Sequence, residues 1–436
     1  MAGPISFAIL IPQLNFITNN IFLGAYDTTG HALATAGITG VYYLIFSAIG
    51  YGLNNGLQSL ISRRAGEERP EEIGLLFNQG VLISLSIAFF GIVLTWFGIP
   101  YLFQYFIHDP ERMRQAIDFL HIRIWCLPFL YIYQMRNALL VGTNQSQFLI
   151  AGTLVEALSN VILDYLLIFG HWGFPELGFN GAAISSVVAE FLGMFVIFLV
   201  IRQQGIDKRF GLFSSLRFQA GHSFEILRFS YPLIFQQAIS IASWEYYFLL
   251  LEHQGTVALQ ISNTMRNVFG LFGAASWAFA ATTNTMVSNI LGQGLDDKIW
   301  VLIRKIMLVS VSMALVMGIL LNVFPVAFLS VFGQQGEFIQ AGIPTVRVVS
   351  VAMVFMSVAT IMINAVIGTG SSRVSFFIEF FSLVLYLIYI YWALEIRHFP
   401  VYVAWMSEWV YWMGLMVPAF LFLLIRRKKA SVTLAH

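Results

Sequence analysis

The sequence predicts an all-α membrane protein: twelve transmembrane helices in two six-helix lobes, related by a pseudo-two-fold axis along the membrane normal. Three observations carry this. The 436 residues are 58% hydrophobic and only 10% charged, with a mean hydropathy of +0.78, whereas soluble globular chains carry about 25% charged residues. Apolar runs bounded by polar or turn residues recur twelve times, and a membrane helix needs about 20 apolar residues. The halves also match one another at a constant shift of 226 residues.

The runs fall at 4–24, 33–62, 73–107, 113–140, 147–169, 178–201, 224–251, 257–290, 299–332, 338–368, 373–394 and 400–425. Those well beyond 25 residues are expected to include tilt or interfacial turns. Alternating strands of about ten residues, the mark of a transmembrane barrel, are not visible. Pro12, Pro128, Pro232, Pro344 and Pro418 lie within spans, where neighbouring groups satisfy the freed carbonyls. The first span has no basic region before it and no small-residue cleavage site, so it does not read as a signal peptide.

Basic residues set the orientation. With both termini in the cytoplasm, 16 of the 23 Lys and Arg fall inside or at inner helix ends. Arg112, Arg114 and Arg397 fall outside, and Arg123, Arg136, Arg266 and Arg347 lie within helices. A net charge of +1 offers no basic surface for nucleic acid. The single cysteine, Cys126, excludes an internal disulfide.

The polar stretch 202–223 divides the chain into an N-lobe (1–201) and a C-lobe (224–425), with a basic tail at 426–436. At the repeat shift, Phe22-Leu23 falls on Phe248-Leu249, Ser62 and Gly66 on Ser288 and Gly292, and Gly142-Thr143 on Gly368-Thr369. Six helices per half make the repeat parallel, with sites expected in or between the halves. The repeat favours a transporter over a membrane enzyme.

Ionisable groups inside the spans cost about 2.5–3.5 kcal/mol on insertion scales, so each is a candidate site. Span 5 places Glu156, Asn160 and Asp164 at i, i+4 and i+8 on one helix face. Asp164 lies about 9 Å below the outer end at 1.5 Å per residue, level with Asn19 of span 1 and Ser186 of span 6. These oxygens suit a small hard cation or a proton; the alternative is a protonated Asp164 that bonds a neighbouring helix. The repeat pairs Asn19 with Glu245. Glu245 and Arg266 are open to two readings, an ion pair or a substrate-facing carboxylate. Glu379, near an inner end, is expected to snorkel towards water; Glu190 and Glu408 remain unassigned, and His121 with Asp118 and Arg123 reads as an interfacial cluster. Aromatics such as Tyr131, Tyr133, Trp244, Tyr246 and Tyr247 are candidates to wall a cavity for organic cations.

Absent motifs narrow the function. No G-x-x-x-x-G-K-[ST] loop holds ATP, no H-E-x-x-H helix binds zinc, and all five lysines lie in loops, the tail or a helix end.

The runs NVILDYLLIFG (160–170) and GFPELGFNGAAIS (173–185), with GLQSLISRRAGE (56–67), NALLVGTNQS (137–146), SNILGQG (288–294) and NAVIGTGSS (364–372), resemble the multidrug and toxic compound extrusion (MATE) family over essentially the whole chain. The resemblance implies two lobes around a central cavity and a secondary active antiporter, in which Na+ or H+ entry drives out organic cations, with no other cofactor. It implies an N-lobe cation site that maps onto Asn160, Asp164 and Ser186. The family's Asp on helix 1 is replaced by Asn19, which removes one carboxylate. Glu245 resembles a carboxylate that some members use on helix 7. The expected setting is a plasma (inner) membrane, with a monomer as the working unit and small, cationic substrates. The alternatives are a lipid-linked precursor flippase or a narrow metabolite exporter of the same superfamily; an intramembrane enzyme would need a constellation that is absent.

Overall fold

The computed structural model describes residues 1–26, 31–106, 109–213, 217–330 and 336–433. Every regular element among them is helical. In chain order the helices are α1 (Ala2–Tyr26), α2 (His31–Gly66), α3 (Pro70–Phe106), α4 (Pro110–Arg123), α5 (Leu127–Gly142), α6 (Leu149–Phe169), α7 (Gly178–Gln203), α8 (Ile206–Phe210), α9 (Ala220–Glu252), α10 (Thr256–Gly292), α11 (Ile299–Val323), α12 (Pro325–Ser330), α13 (Glu337–Gly368), α14 (Ser372–Tyr391), α15 (Val401–Ala404) and α16 (Ser407–Thr433). Nine helical segments among the described residues are long and apolar enough to cross a membrane. The 33-residue α9 and 37-residue α10 fall short of that hydropathy because they carry Gln236, Ser240, Glu245, Arg266, Asn284 and similar groups.

The expected fourth span is one helical segment, Pro110–Gly142, that tightens into a 3-10 turn at Ile124–Cys126. Pro128 accounts for the tightened turn: it has no N–H to donate, and its ring crowds the preceding turn. Long spans such as α2 and α3 run unbroken instead of ending in interfacial turns. The last helix continues through the basic run to Thr433.

Contacts group the chain into two compact units, one of Gly3–Ile61 and Glu68–Ser230, the other of Ser62–Glu67 with Tyr231 onward. In the first, α6 and α7 form a close antiparallel hairpin. The left-handed Gly170 (φ 70°) ends α6, and the Leu177 amide donates to the Leu167 carbonyl at 2.8 Å. Small residues let the two backbones approach, as membrane helices require in place of a hydrophobic driving force. A Cβ at Gly181 would lie 2.6 Å from the Leu167 carbonyl oxygen, and one at Gly152 would lie 2.2 Å from Ile197 Cγ1. Across the rest of this unit, Tyr131 is fully buried and donates to the Phe46 carbonyl at 2.9 Å.

In the second unit the core is built on Trp405 and Tyr247. Trp405 stacks on Phe269 with ring centroids 5.7 Å apart and donates to Ser262 Oγ at 3.0 Å. The last turn of α2 packs in this unit against α10 through the very residues the repeat equates. Ser62 Oγ donates to the Thr285 carbonyl at 2.6 Å, and a Cβ at Gly66 would meet the Asn289 carbonyl oxygen at 2.1 Å. A Cβ at Gly292 would in turn meet the Arg63 carbonyl oxygen at 2.3 Å.

Gly181→Val is expected to destabilise the protein by about 1–3 kcal/mol, the cost of overpacking a tight contact. Gly40→Val, at a position with nothing within 4 Å of its Cβ, should change little. Thermal unfolding of both variants in detergent checks the pair; equal midpoints would refute the role given to Gly181.

Candidate functional site

Helix α6 has two opposed faces. Leu154, Leu158, Ile162 and Tyr165 form an exposed apolar stripe. Glu156, Asn160 and Asp164 each stand two residues from a member of that stripe, about 200° around the helix, and therefore point inward. Asp164 is fully buried and Asn160 is 1% exposed.

An apolar cap closes the site at one end. Leu23 of α1, Ile168 of α6, and Phe179 and Ala182 of α7 pack together, with Ala36 of α2 and Phe119 of α4 against them. One helical turn below four of these lies a polar residue: Asn19 below Leu23, Asp164 below Ile168, Ser186 below Ala182, Arg123 below Phe119. The cap thus seals off a layer of oxygens and one guanidinium.

Most of those oxygens have nothing to bond. Among the described residues neither carboxylate oxygen of Asp164 has a hydrogen-bond partner, nor does Oδ1 of Asn160 or of Asn19. The Asn160 amide donates to Ser186 Oγ at 3.4 Å. Ser185, which sequence reasoning passed over for its neighbour, is fully buried and lies beside the Asp164 carboxylate. Its hydroxyl proton is committed to the Gly181 carbonyl at 2.8 Å, so Asp164 gains no full bond from it. A buried, unsatisfied carboxylate is costly, and the group meets that cost by binding a cation or a proton. One carboxylate with two amide oxygens suits a monovalent hard cation; a divalent ion would demand more negative charge. No group of three or more His, Cys, Asp or Glu side chains among the described residues is placed to hold a metal.

Beside this layer is an ion pair that sequence reasoning left unassembled. Arg123 pairs with Glu190 at 2.9 Å, sits over the Tyr43 ring at 4.4 Å and donates to Cys126 Sγ at 2.9 Å. The available signal was spacing: Glu190 stands one turn beyond Ser186 on α7. His121 does not join Arg123; it stacks on Trp96 with ring centroids 4.3 Å apart. Arg136 donates to the Met194 carbonyl and sits over Phe198.

In the second unit, Glu245 and Arg266 lie 3.4 Å apart, and Arg266 is held between the Trp244 and Phe248 rings at 5.4 and 5.2 Å. Glu379 departs from the snorkelling expectation. It is 4% exposed and accepts hydrogen bonds from Ser240 Oγ at 2.6 Å, from Gln236 Nε2 at 3.2 Å and from the Tyr411 hydroxyl. Three donors from α9 and α16 converge on it, so it has no need to reach water. Glu408 accepts from Trp412 Nε1 at 2.9 Å. Set beside these satisfied acids, Asp164 differs in having both oxygens free.

The MatE family profile matches residues 4–166 and 232–392. The second match ends 226 residues after the first, the shift at which the halves align on their own. A relative from Thermotoga maritima, described as a probable multidrug resistance protein NorM, is 21% identical over 384 residues, covering 86% of this chain and 80% of its own. A multidrug resistance MATE family transporter of the MOP superfamily, solved in an outward-facing conformation, superimposes with a TM-score of 0.88 at 16% identity, covering 100% of this chain and 96% of its own. A MOP superfamily transporter from Pyrococcus furiosus, whose binding pocket is described as reversed in polarity, gives a TM-score of 0.87 at 16% identity, covering 99% of this chain and 94% of its own.

Removing one partner of the Arg123–Glu190 pair should be more damaging than removing both. Glu190→Gln strands a largely buried guanidinium and is expected to cost about 3 kcal/mol. The double variant Arg123→Met, Glu190→Leu should recover most of that. Unfolding midpoints of the two variants in one detergent decide it, and a double variant no better than the single contradicts the pairing.

Proposed function

The chain belongs to the MatE family of transporters, and on that premise we propose that it is a secondary active exporter that antiports small organic cations against Na+ or H+ by alternating access. It is a transporter and not an enzyme, and it is a multi-span membrane protein. The reading extends to both termini in the cytoplasm, on the strength of the basic residues at one set of helix ends, and includes a plasma-membrane location and a monomer as the working unit.

The observation that carries the proposal is Asp164: fully buried, on the face away from lipid, with two free oxygens next to the free amide oxygen of Asn160. A cation that binds there neutralises a fully buried acid whose oxygens have no partner among the described residues. Coupling then requires that cation and substrate favour different access states, because a ligand moves an equilibrium only by its difference in affinity between states. Driving the states from 1:99 to 99:1 takes about 10⁴-fold selectivity.

The alternative of a pyrophosphate-lipid flippase requires free cationic charge within the helices. Arg123 is tied to Glu190, Arg136 to a carbonyl and Arg266 to Glu245. Among the described residues Arg347 alone of the four has no such tie, and it faces the groove between α11 and α13; one such charge is little for carrying a phosphate cargo across, which favours the cation exporter.

Proteoliposomes loaded with an ethidium-type dye test the proposal under imposed Na+ and pH gradients. One gradient is expected to drive dye movement, and Asp164→Asn should abolish it while leaving the unfolding midpoint in place. Normal transport by the variant would refute the site. With Asp164 alone, and not Glu156, exchanging its companion ion, exchange for a monovalent dye is electroneutral. A membrane potential imposed alone should therefore drive no movement, and a tenfold ion gradient, worth about 1.4 kcal/mol, should sustain at most a tenfold dye gradient. Movement driven by potential alone would show that more than one charge enters per cycle.

A further inference from the structure

Of the four arginines within the spans, Arg347 differs from the rest. It lies on α13, is exposed, and has no ion-pair or hydrogen-bond partner among the described residues. Its surroundings form an open groove of about 620 Å3 between α11 and α13. Two matching helical stripes build that groove. On α13, Val351, Val354 and Phe355 follow Arg347 at one- and two-turn spacing. On α11, Leu315, Gly318 and Ile319 face them, and the missing side chain at Gly318 hollows the floor.

The depth of Arg347 follows from α11. Its basic end is marked by Lys305, and Asn322 stands seventeen residues further on, about 26 Å at 1.5 Å per residue, close to the roughly 30 Å of a bilayer's hydrocarbon core. Asn322 Nδ2 donates to Ser350 Oγ at 2.9 Å, which fixes α13 at the same level. Arg347 is one turn beyond Ser350, towards the membrane face opposite Lys305. The guanidinium therefore sits at the depth of lipid phosphates, and the apolar groove beneath it descends at the depth of acyl chains.

We infer that the groove between α11 and α13 is a binding site for one anionic phospholipid, with its phosphate on Arg347 and an acyl chain along Leu315, Ile319 and Val351. The planar guanidinium takes two phosphate oxygens at once. The amide hydrogens of Asn322 are directed to the Gly318 carbonyl at 2.7 Å and to Ser350. Its carbonyl oxygen has no partner among the described residues and accepts a headgroup hydroxyl such as that of glycerol. Phosphatidylglycerol meets all three demands, whereas phosphatidylcholine brings a trimethylammonium group with neither net negative charge nor a hydroxyl. The inference does not depend on the transported substrate or the coupling ion.

The test is native mass spectrometry of the full chain in a non-ionic detergent, titrated with phosphatidylglycerol and phosphatidylcholine of identical chains. The wild type should retain one phosphatidylglycerol under activation that strips phosphatidylcholine. Arg347→Gln should lose that one lipid, lowering the preference roughly fivefold, about what one surface arginine confers. Lipids held by the basic run at Arg426–Lys429 should stay bound in both. Gly318→Leu, which fills the groove and leaves the charge, should weaken retention of the same lipid and serves as the second variant if Arg347→Gln folds poorly. Equal retention of the two lipids by the wild type, or undiminished phosphatidylglycerol on both variants, overturns the site.

Discussion

A carboxylate sealed from water, with no donor to satisfy it, is the constraint on which the first unit is organised. Three other acids buried or nearly buried among the described residues have partners. Glu379 takes three donors, Glu190 takes a guanidinium, and Glu408 takes an indole. Asp164 takes none. In a low-dielectric interior such a group is stable only when a proton or a cation accompanies it, and this turns a burial problem into a binding site. The apolar cap above it matters for the same reason, since water reaching Asp164 would supply the missing hydrogen bonds and remove the incentive to bind an ion.

Packing keeps the site dry. The hairpin of α6 and α7 closes on glycines whose Cβ positions are already occupied by the neighbouring helix, so the two polar faces meet without a gap. At Gly193 a Cβ would lie 2.8 Å from Glu156 Cβ, which shows the same close approach two turns below Asp164. The Arg123–Glu190 pair adds a fixed positive charge near the layer but spends it on its own partner. Its physical effect is to leave the charge of Asp164 uncompensated by Arg123, so that one monovalent ion balances it in the proposed exchange.

Sequence and structure agree where the information is periodic. The i, i+4, i+8 spacing of Glu156, Asn160 and Asp164 assigned them one face, and the exposed stripe two residues away shows that face turned inward. The 226-residue shift was legible because it repeats across many short matches, and the family profile ends its two matches at the same shift. Pairings between helices were mostly not legible, Glu245 with Arg266 being one of two readings the sequence left open. Nothing in the local pattern states that Arg123 of α4 meets Glu190 of α7, or that Gln236, Ser240 and Tyr411 meet at Glu379, because those contacts depend on how helices distant in sequence rotate against one another. The same ignorance of rotation hid Ser185 behind Ser186, adjacent residues that differ by 100° in direction. The local tightening of the fourth span was signalled by Pro128, but proline alone does not say whether a helix tightens or ends.

The central claim is that Asp164 itself exchanges its companion ion, and infrared difference spectroscopy of the purified protein observes this directly. On addition of Na+, or on a rise in pH, the wild type should lose the band of a protonated carboxyl and gain that of a carboxylate, and the same change should be absent from Asp164→Asn. A difference spectrum that survives unchanged in the variant would place the exchanging acid elsewhere and contradict the account.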